Sequence, residues 1–339
     1  MPLVEPLAAV PRRAPASPSL PVRCDSTAPP GVPDSLWRTA LLDPTSEFLS
    51  RPGKCIRGRT LAASWSLAGG VGEAPAVLTD LVEMLHAGSL IVDDIEDDSL
   101  QRRGRAALHR LIGVPAALNL GNWLYFRALD TLRELGLAAT VERDCHRLCL
   151  DAIRVCHEGQ ALDLAARIGD LHPRDVVSVC RVISERKTGA LMAMASELGA
   201  VAAGADERKR TALRDYGVRL GVALQMLNDL GELSGSAGPI KHPEDMIHGR
   251  VTWPWAWAAE RLPAARFDAL QVRGAKLAAG VGDAAALARD LLAALGPDPA
   301  RIVQTKLDDA HRDVSASVGP HPVLIELQDE AYRLLRSIA

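Results

Sequence analysis

The segment LHAGSLIVDDIEDDSLQRRG, residues 85–104, begins as an apolar helical run and stops abruptly at Asp93, Asp94, Glu96, Asp97 and Asp98, with Arg102 and Arg103 just beyond. At about 100° per residue, Asp93 and Asp97 fall about 40° apart with Asp94 beside them, so three carboxylates are expected on one helix face. Acidic groups near a helix C-terminus oppose the macrodipole, which costs stability unless cations are recruited. Hard oxygen ligands of this kind suit Mg²⁺, an ion that usually keeps waters and bridges to substrate phosphate.

The same period governs the chain on both sides. From about Asp34 onward Ala, Leu, Arg and Glu dominate, apolar residues recur at three- and four-residue intervals, and alternating Val/Ile/Thr runs are almost absent. An all-helical domain follows. Helices are expected near 34–48, 54–69, 75–98, 118–136, 139–168, 173–202, 206–234, 251–262, 265–279, 282–295, 298–316 and 322–338, separated by Gly- and Pro-rich turns. Nine of the 22 prolines lie in the first 35 residues without apolar periodicity, so residues 1–35 read as a disordered arm ahead of a single domain, 36–339.

Composition excludes several classes. A formal net charge of −3 leaves no basic field for nucleic acid. No run reaches the roughly 18 apolar residues of a membrane span. The six cysteines show no framework spacing, which points to a reducing compartment and, here, the cytoplasm. Cys145, Cys149 and Cys156 share one helical face, as small core residues do.

A second acidic feature pairs with the first. In DYGVRLGVALQMLNDLGELSG, residues 215–235, Asn228, Asp229 and Glu232 repeat the i, i+1, i+4 offsets of Asp93, Asp94 and Asp97. Two such helices packed face to face would offer oxygen ligands from opposite walls of one cavity.

Over residues 45–260 the chain resembles the trans-isoprenyl diphosphate synthase (polyprenyl synthetase) family. The landmarks fall in order: GKCIR with Lys54 and Arg57, His86 seven residues before Asp93, DDIED with RRG after it, GQALD with Gln160 and Asp163, KTG with Lys187 and Thr188, QMLND with Gln225 and Asp229, then Lys241, Asp245, Arg250 and Thr252. The resemblance implies an all-α bundle around a deep central cavity, commonly dimeric, using three Mg²⁺ ions to join an allylic diphosphate to isopentenyl diphosphate. By the same resemblance, Asp93, Asp94, Asp97 and Asp229 are catalytic, and Asp93, Asp97, Asn228, Asp229 and Glu232 hold metal. Arg102, Lys187 and Lys241 add fixed positive charge for the departing diphosphate. Lys54, Arg57, His86 and Arg103 bind isopentenyl diphosphate, and Gln225 and Thr188 position the allylic partner.

Departures from the pattern keep other readings open. Asn228 and Glu232 stand where the family usually has aspartates, removing one charge and lengthening one reach, so metal affinity on that wall should fall. A terpene cyclase or unusual prenyltransferase on the same fold, or a non-catalytic subunit of a heteromeric synthase, fits that change. Against a cyclase stand the scarcity of aromatic residues, 4% of the chain, and the retained isopentenyl-site basic set. The small Ser89 and Gly88 ahead of Asp93 leave the expected product tunnel unplugged, with Trp123, Tyr125 and Phe126 as a possible deeper floor. That favours a C20 product, geranylgeranyl diphosphate, with C15 and C25 as neighbours.

Overall fold

A computed structural model describes residues 26–234 and 244–336. The expectations for residues 1–25 of the arm, for Lys241 and for the turn that follows the helix expected over 206–234 lie outside the described residues. Residues 26–33 run without regular structure, and the Trp37 indole donates to the Ser26 carbonyl at 3.0 Å.

The described fold is a helical bundle whose centre is the helix Ala190–Ala202. Its sequence, ALMAMASELGAVA, is apolar all round, and every residue from Leu191 to Val201 is buried. A helix with no polar face must be surrounded on all sides. It is packed by Ile56–Ala68, Ala139–Ala165 and Glu207–Ser234, and it joins two apolar cores. One core gathers the helices Ala76–Glu96 and Val114–Asp130 with Leu191, Met194 and Leu198. The other gathers Glu207–Ser234 and the C-terminal helices Trp253–Arg261, Ala264–Ala278, Ala284–Leu295, Asp298–Val318 and Pro322–Arg336 around Trp255, Trp257 and Phe267. Glu197, the one acid on the central helix, is buried and pairs with Arg210 at 3.3 Å.

Two local features escape the helical period. The run expected as one helix over 173–202 is interrupted by a π-turn, Glu185–Gly189, between Pro173–Ser184 and Ala190–Ala202. A widened turn of this kind commonly marks a functional position, and here it carries Lys187 and Thr188. It is gripped from both sides where glycines remove a side chain. A Cβ on Gly159 would lie 2.6 Å from the Lys187 amide nitrogen, and one on Gly221 would lie 2.7 Å from the Gly189 Cα.

The second feature follows the acidic helix. Gln101–Arg102 and Arg105–Ala106 pair as a short antiparallel hairpin, with Arg103 at φ 54° and Gly104 at φ 75° in its turn. Two positive φ values are what a type I′ hairpin requires, and arginine is an unusual occupant of the first position. The hairpin turns the chain back so that Arg102 and Arg103 point to two different clusters.

Candidate active site

The helix Ala76–Glu96 presents both halves of the site. Its C-terminal end meets a knot of ion pairs. Lys187 Nζ lies 3.0 Å from Asp93 Oδ1 and 2.8 Å from Asp163 Oδ2. Gln160 Nε2 donates to Asp93 Oδ1 at 3.1 Å and to Glu96 Oε2 at 2.7 Å. The buried Arg250 pairs with Asp97 Oδ1 and donates at 2.6 Å to the Asp163 backbone carbonyl. Burial opposes the charge on Asp93, but Lys187 and Arg102 outweigh it and hold the carboxyl below its usual range. Burial also works against the Lys187 charge, and Asp93 and Asp163 more than offset it, so that amine stays firmly protonated.

Asp94 departs from the expected shared face. Its side chain is 1% exposed against 21% for Asp93 and 17% for Asp97, and it turns inward to accept from Arg102 Nε at 2.7 Å. The helix leaves Asp93 and Asp97 on the open side; Asp94 anchors Arg102. Its Oδ2 is buried without a partner, and burial pushes its carboxyl up to about 6 despite Arg102.

The second motif lies on the helix Glu207–Ser234. Gln225 links the two expected positioning groups: Thr188 Oγ1 donates to Gln225 Oε1 at 2.5 Å, and Gln225 Nε2 donates to Asp229 Oδ1 at 2.7 Å. Asp229 Oδ2 accepts from the Trp253 backbone N–H at 2.9 Å. Asn228 is exposed, whereas Glu232 uses Oε1 to accept the Asp245 backbone N–H at 2.9 Å. The two motifs share one field. Burial raises the Asp229 carboxyl to about 7, with Asp245 and Asp163 adding to the rise, and burial raises Asp245 too, with Asp163, Asp97 and Asp93 adding to it.

The raised Asp229 value has a sign in stability. A carboxyl whose folded pKa lies above its unfolded value contributes most below the unfolded pKa, and that contribution is lost as pH rises through the folded one. Metal-free thermal unfolding between pH 4 and 7 should therefore show a loss in wild type that Asp229→Asn lacks. The difference in slope should be about 1.4 kcal/mol per pH unit, one proton's worth. Parallel profiles for the two proteins would contradict the raised value.

Magnesium, which the resemblance implies, meets donors of the right chemistry in Asp93, Asp97, Asp163 and Asp229. Among the described residues no three His, Cys, Asp or Glu side chains converge to hold an ion by themselves. The reason is visible in the ion pairs, since Lys187 and Arg250 stand between the carboxylates. One or two carboxylates completed by substrate phosphate is the way Mg²⁺ is commonly held, so these residues fit the ion jointly with a diphosphate.

One to two turns earlier on the same helix lies a basic cradle. Arg57 is half-buried with its Nε enclosed and unpartnered, and His86 Nδ1 is likewise enclosed and unpartnered. Arg103 donates to the Arg51 carbonyl at 3.3 Å, and its guanidinium carbon would lie 3.0 Å from a Cβ on Gly53, next to Lys54. Burial, then Arg57 and Arg103, hold the His86 imidazole well below its usual range, so it is neutral near pH 7. Buried polar atoms left without a partner are rare in folded proteins, and two of them face this cluster.

Several tunnel expectations change. Gly88 is small because the helices touch there: a Cβ would lie 2.8 Å from the Gly121 carbonyl and 3.3 Å from Tyr125. Its size reports helix packing and gives no reading of a tunnel. Phe126 is 72% exposed and cannot form a floor within the chain. Cys145 and Cys149 are fully buried core residues, and Cys156 is half-buried. Asp163, Asp245 and Arg250, landmarks of the resemblance without an assigned role, are partners in this knot. Their ordered placement after GQ and before the Trp-rich helix was the signal available for them.

Around the helix Ala76–Glu96 the fold thus sets an acid-and-cation knot beside a separate basic cradle. The polyprenyl synthetase family profile matches residues 38–284, and the chain belongs to that family. It is 31% identical over 226 residues to a short chain isoprenyl diphosphate synthase of Methanothermobacter thermautotrophicus, covering 65% of this chain and 67% of the relative. It is 30% identical over 213 residues to a geranylgeranyl pyrophosphate synthase of Penicillium janthinellum, covering 62% and 56%. It is 28% identical over 211 residues to the octaprenyl diphosphate synthase of Escherichia coli, covering 61% and 62%. The matched segments thus span between just over half and two thirds of these relatives. Among solved structures, a polyprenyl synthase from Caulobacter crescentus, complexed with calcium and isoprenyl diphosphate, superposes with a TM-score of 0.74 at 26% identity, covering 87% of this chain and 88% of that one. A decaprenyl diphosphate synthase from Rhodobacter capsulatus gives a TM-score of 0.74 at 25% identity, covering 90% and 94%.

Proposed function

We propose that the chain is a Mg²⁺-dependent trans-prenyltransferase that condenses isopentenyl diphosphate with an allylic diphosphate. What supports this reading is a pair of clusters around one helix, the Asp93–Lys187–Arg102 knot and the Arg57–His86 cradle, each with the cations to meet a diphosphate. A cyclase has one diphosphate to hold and no use for the second site.

The allylic diphosphate enters the knot, where Lys187, Arg102 and Arg250 exchange their carboxylate partners for phosphate oxygens. Mg²⁺, when bound by Asp93, Asp97 and the second wall, supplies positive charge that stabilises the leaving diphosphate. The chain's cations are already fixed in place and need little reorganisation as charge develops on that group. The cradle holds isopentenyl diphosphate through Lys54, Arg57, His86 and Arg103, setting its alkene against the allylic carbon. The Thr188–Gln225–Asp229 chain of hydrogen bonds orients Gln225 toward the allylic partner. Released diphosphate, held by the same cations, is the base nearest the proton that must leave.

For product length we propose C20, supported by the small Ser89 and by geranylgeranyl synthases among the relatives. The exposed stripe Val114, Leu118 and Phe126 on one helix supports a homodimer. No helix among the described residues is long and apolar enough to cross a membrane. Cys145, Cys149, Cys156 and Cys180 carry free thiols, which supports a cytoplasmic setting.

The altered second motif favours the alternatives, and one assay separates them. Purified protein is given Mg²⁺, isopentenyl diphosphate and C5, C10 or C15 allylic diphosphates. Longer diphosphates are the expected product. Hydrocarbon or alcohol from the allylic substrate alone would establish a cyclase, and activity only with an added partner subunit would establish a non-catalytic role. The exposed Asn228 also gives a graded test: Asn228→Asp should lower the Mg²⁺ concentration for half-maximal rate several-fold, because a carboxylate binds the hard ion better than an amide oxygen. An unchanged or higher requirement would show that this position does not serve the metal.

A further inference from the structure

The helix Ile56–Ala68 carries Arg57 and follows directly on Lys54, yet its own sequence provides no cap. Cys55 occupies the N-cap at φ 45°, a strained value for a residue with a Cβ, and its side chain makes no capping bond. The first turn of a helix leaves backbone N–H groups unsatisfied. One of them, the Gly58 N–H, is met from another helix, where the buried Glu83 accepts it through Oε1 at 2.9 Å. The fit is close on both sides, since a Cβ on Gly58 would lie 3.4 Å from Glu83 Oε1 and 3.5 Å from Thr79 Cβ. Glu83 sits one turn before His86 on the acidic helix, and its charge is the strongest opposing one felt by both Arg57 and Arg103. Glu83 therefore bonds the first turn of the helix that carries Arg57 to the helix that bears His86.

We propose that Glu83 is a positioning residue for the isopentenyl diphosphate cradle, capping in trans the helix turn that aims Lys54 and Arg57. This rests on the reading above that the cradle takes isopentenyl diphosphate. Glu83 touches no substrate in this role; it fixes the direction of groups that do. It also joins the two anion sites through one helix, because the carboxylates of the first motif lie at that helix's other end.

The test is a pair of variants read by two measurements. Glu83→Ala removes the cap and should raise KM for isopentenyl diphosphate at least tenfold while KM for the allylic diphosphate stays within twofold. Glu83→Gln keeps an acceptor for the Gly58 N–H and should bring the isopentenyl KM back to within about threefold of wild type. If Glu83→Ala does not fold, Glu83→Asp, one methylene short of the amide, must give the same selective rise. An unchanged isopentenyl KM, or an equal rise in both KM values, would overturn the role. Calorimetry with isopentenyl diphosphate alone reads the cradle without the reaction. A Kd weakened tenfold in Glu83→Ala supports the inference even where no elongation product forms, whereas an equal Kd in both proteins overturns it and leaves the elongation reading standing. No binding to wild type overturns both.

Discussion

Asp93→Asn should lower kcat/KM for chain elongation by about 10³-fold at saturating Mg²⁺, an effect of about 4 kcal/mol on the transition state. Asp93 is the meeting point of the knot, touching Lys187 at 3.0 Å, Gln160 at 3.1 Å and Arg102 at 3.5 Å. The amide keeps the shape and removes the charge, so Lys187 retains only Asp163 and the ion loses its most exposed carboxylate of the first motif. The lowered Asp93 pKa means that the ionised group stabilises the fold above its unfolded value. The variant should therefore also melt somewhat lower at pH 7, with a difference that fades as pH falls through the carboxylate range. Steady-state kinetics with thermal melts over pH check both. A loss below tenfold would show that the first motif does not grip the leaving group.

Arg57→Gln should act on the other substrate and with the opposite sign on stability. An arginine that makes two charge-assisted hydrogen bonds to a diphosphate contributes about 3 kcal/mol to its binding, so KM for isopentenyl diphosphate should rise about 10²-fold. The allylic KM should move little, because Arg57 makes no contact with the acid knot, which lies about two turns further along the acidic helix. In the unliganded chain, however, Arg57 is a half-buried cation with its enclosed Nε unpartnered, and desolvation lowers its pKa. Its removal should leave the melting temperature unchanged or raise it, as expected where a group is held ready for a ligand at the expense of the fold. A parallel fall in stability and in affinity for both substrates would mark Arg57 as a structural residue.

The two acidic helix ends were legible because each sits on a helix whose apolar period is strong enough to fix which residues share a face. That reasoning places Asp93 and Asp97 together correctly but overreaches at Asp94. Position on the helix gives only an angle, and the hairpin that carries Arg102 decides that Asp94 turns inward. The hairpin itself was invisible, being two residues a side with arginine where a glycine or asparagine is the usual sign. The π-turn under Lys187 was equally silent, because its cause is tertiary: Gly159 and Gly221 let two helices close on it. Gly88 shows the reverse error, since a small residue read as an open tunnel is small because Gly121 lies against it. Arg250 and Asp163 could be ordered along the chain, but the pairing of Arg250 with Asp97, 153 residues away, exists only once the bundle closes.

The central claim is that the first and second motifs are two walls of one diphosphate site. A crystal structure of the protein with Mg²⁺, isopentenyl diphosphate and a non-ionising thio analogue of the allylic diphosphate tests it most directly. The analogue's phosphates should lie between Asp93 and Asp97 on one side and the Asn228–Asp229 helix on the other, with Lys187 and Arg250 turned onto phosphate oxygens and isopentenyl diphosphate in the Arg57 cradle. A diphosphate bound away from both motifs, or ions held by one wall with the other facing solvent, would contradict it.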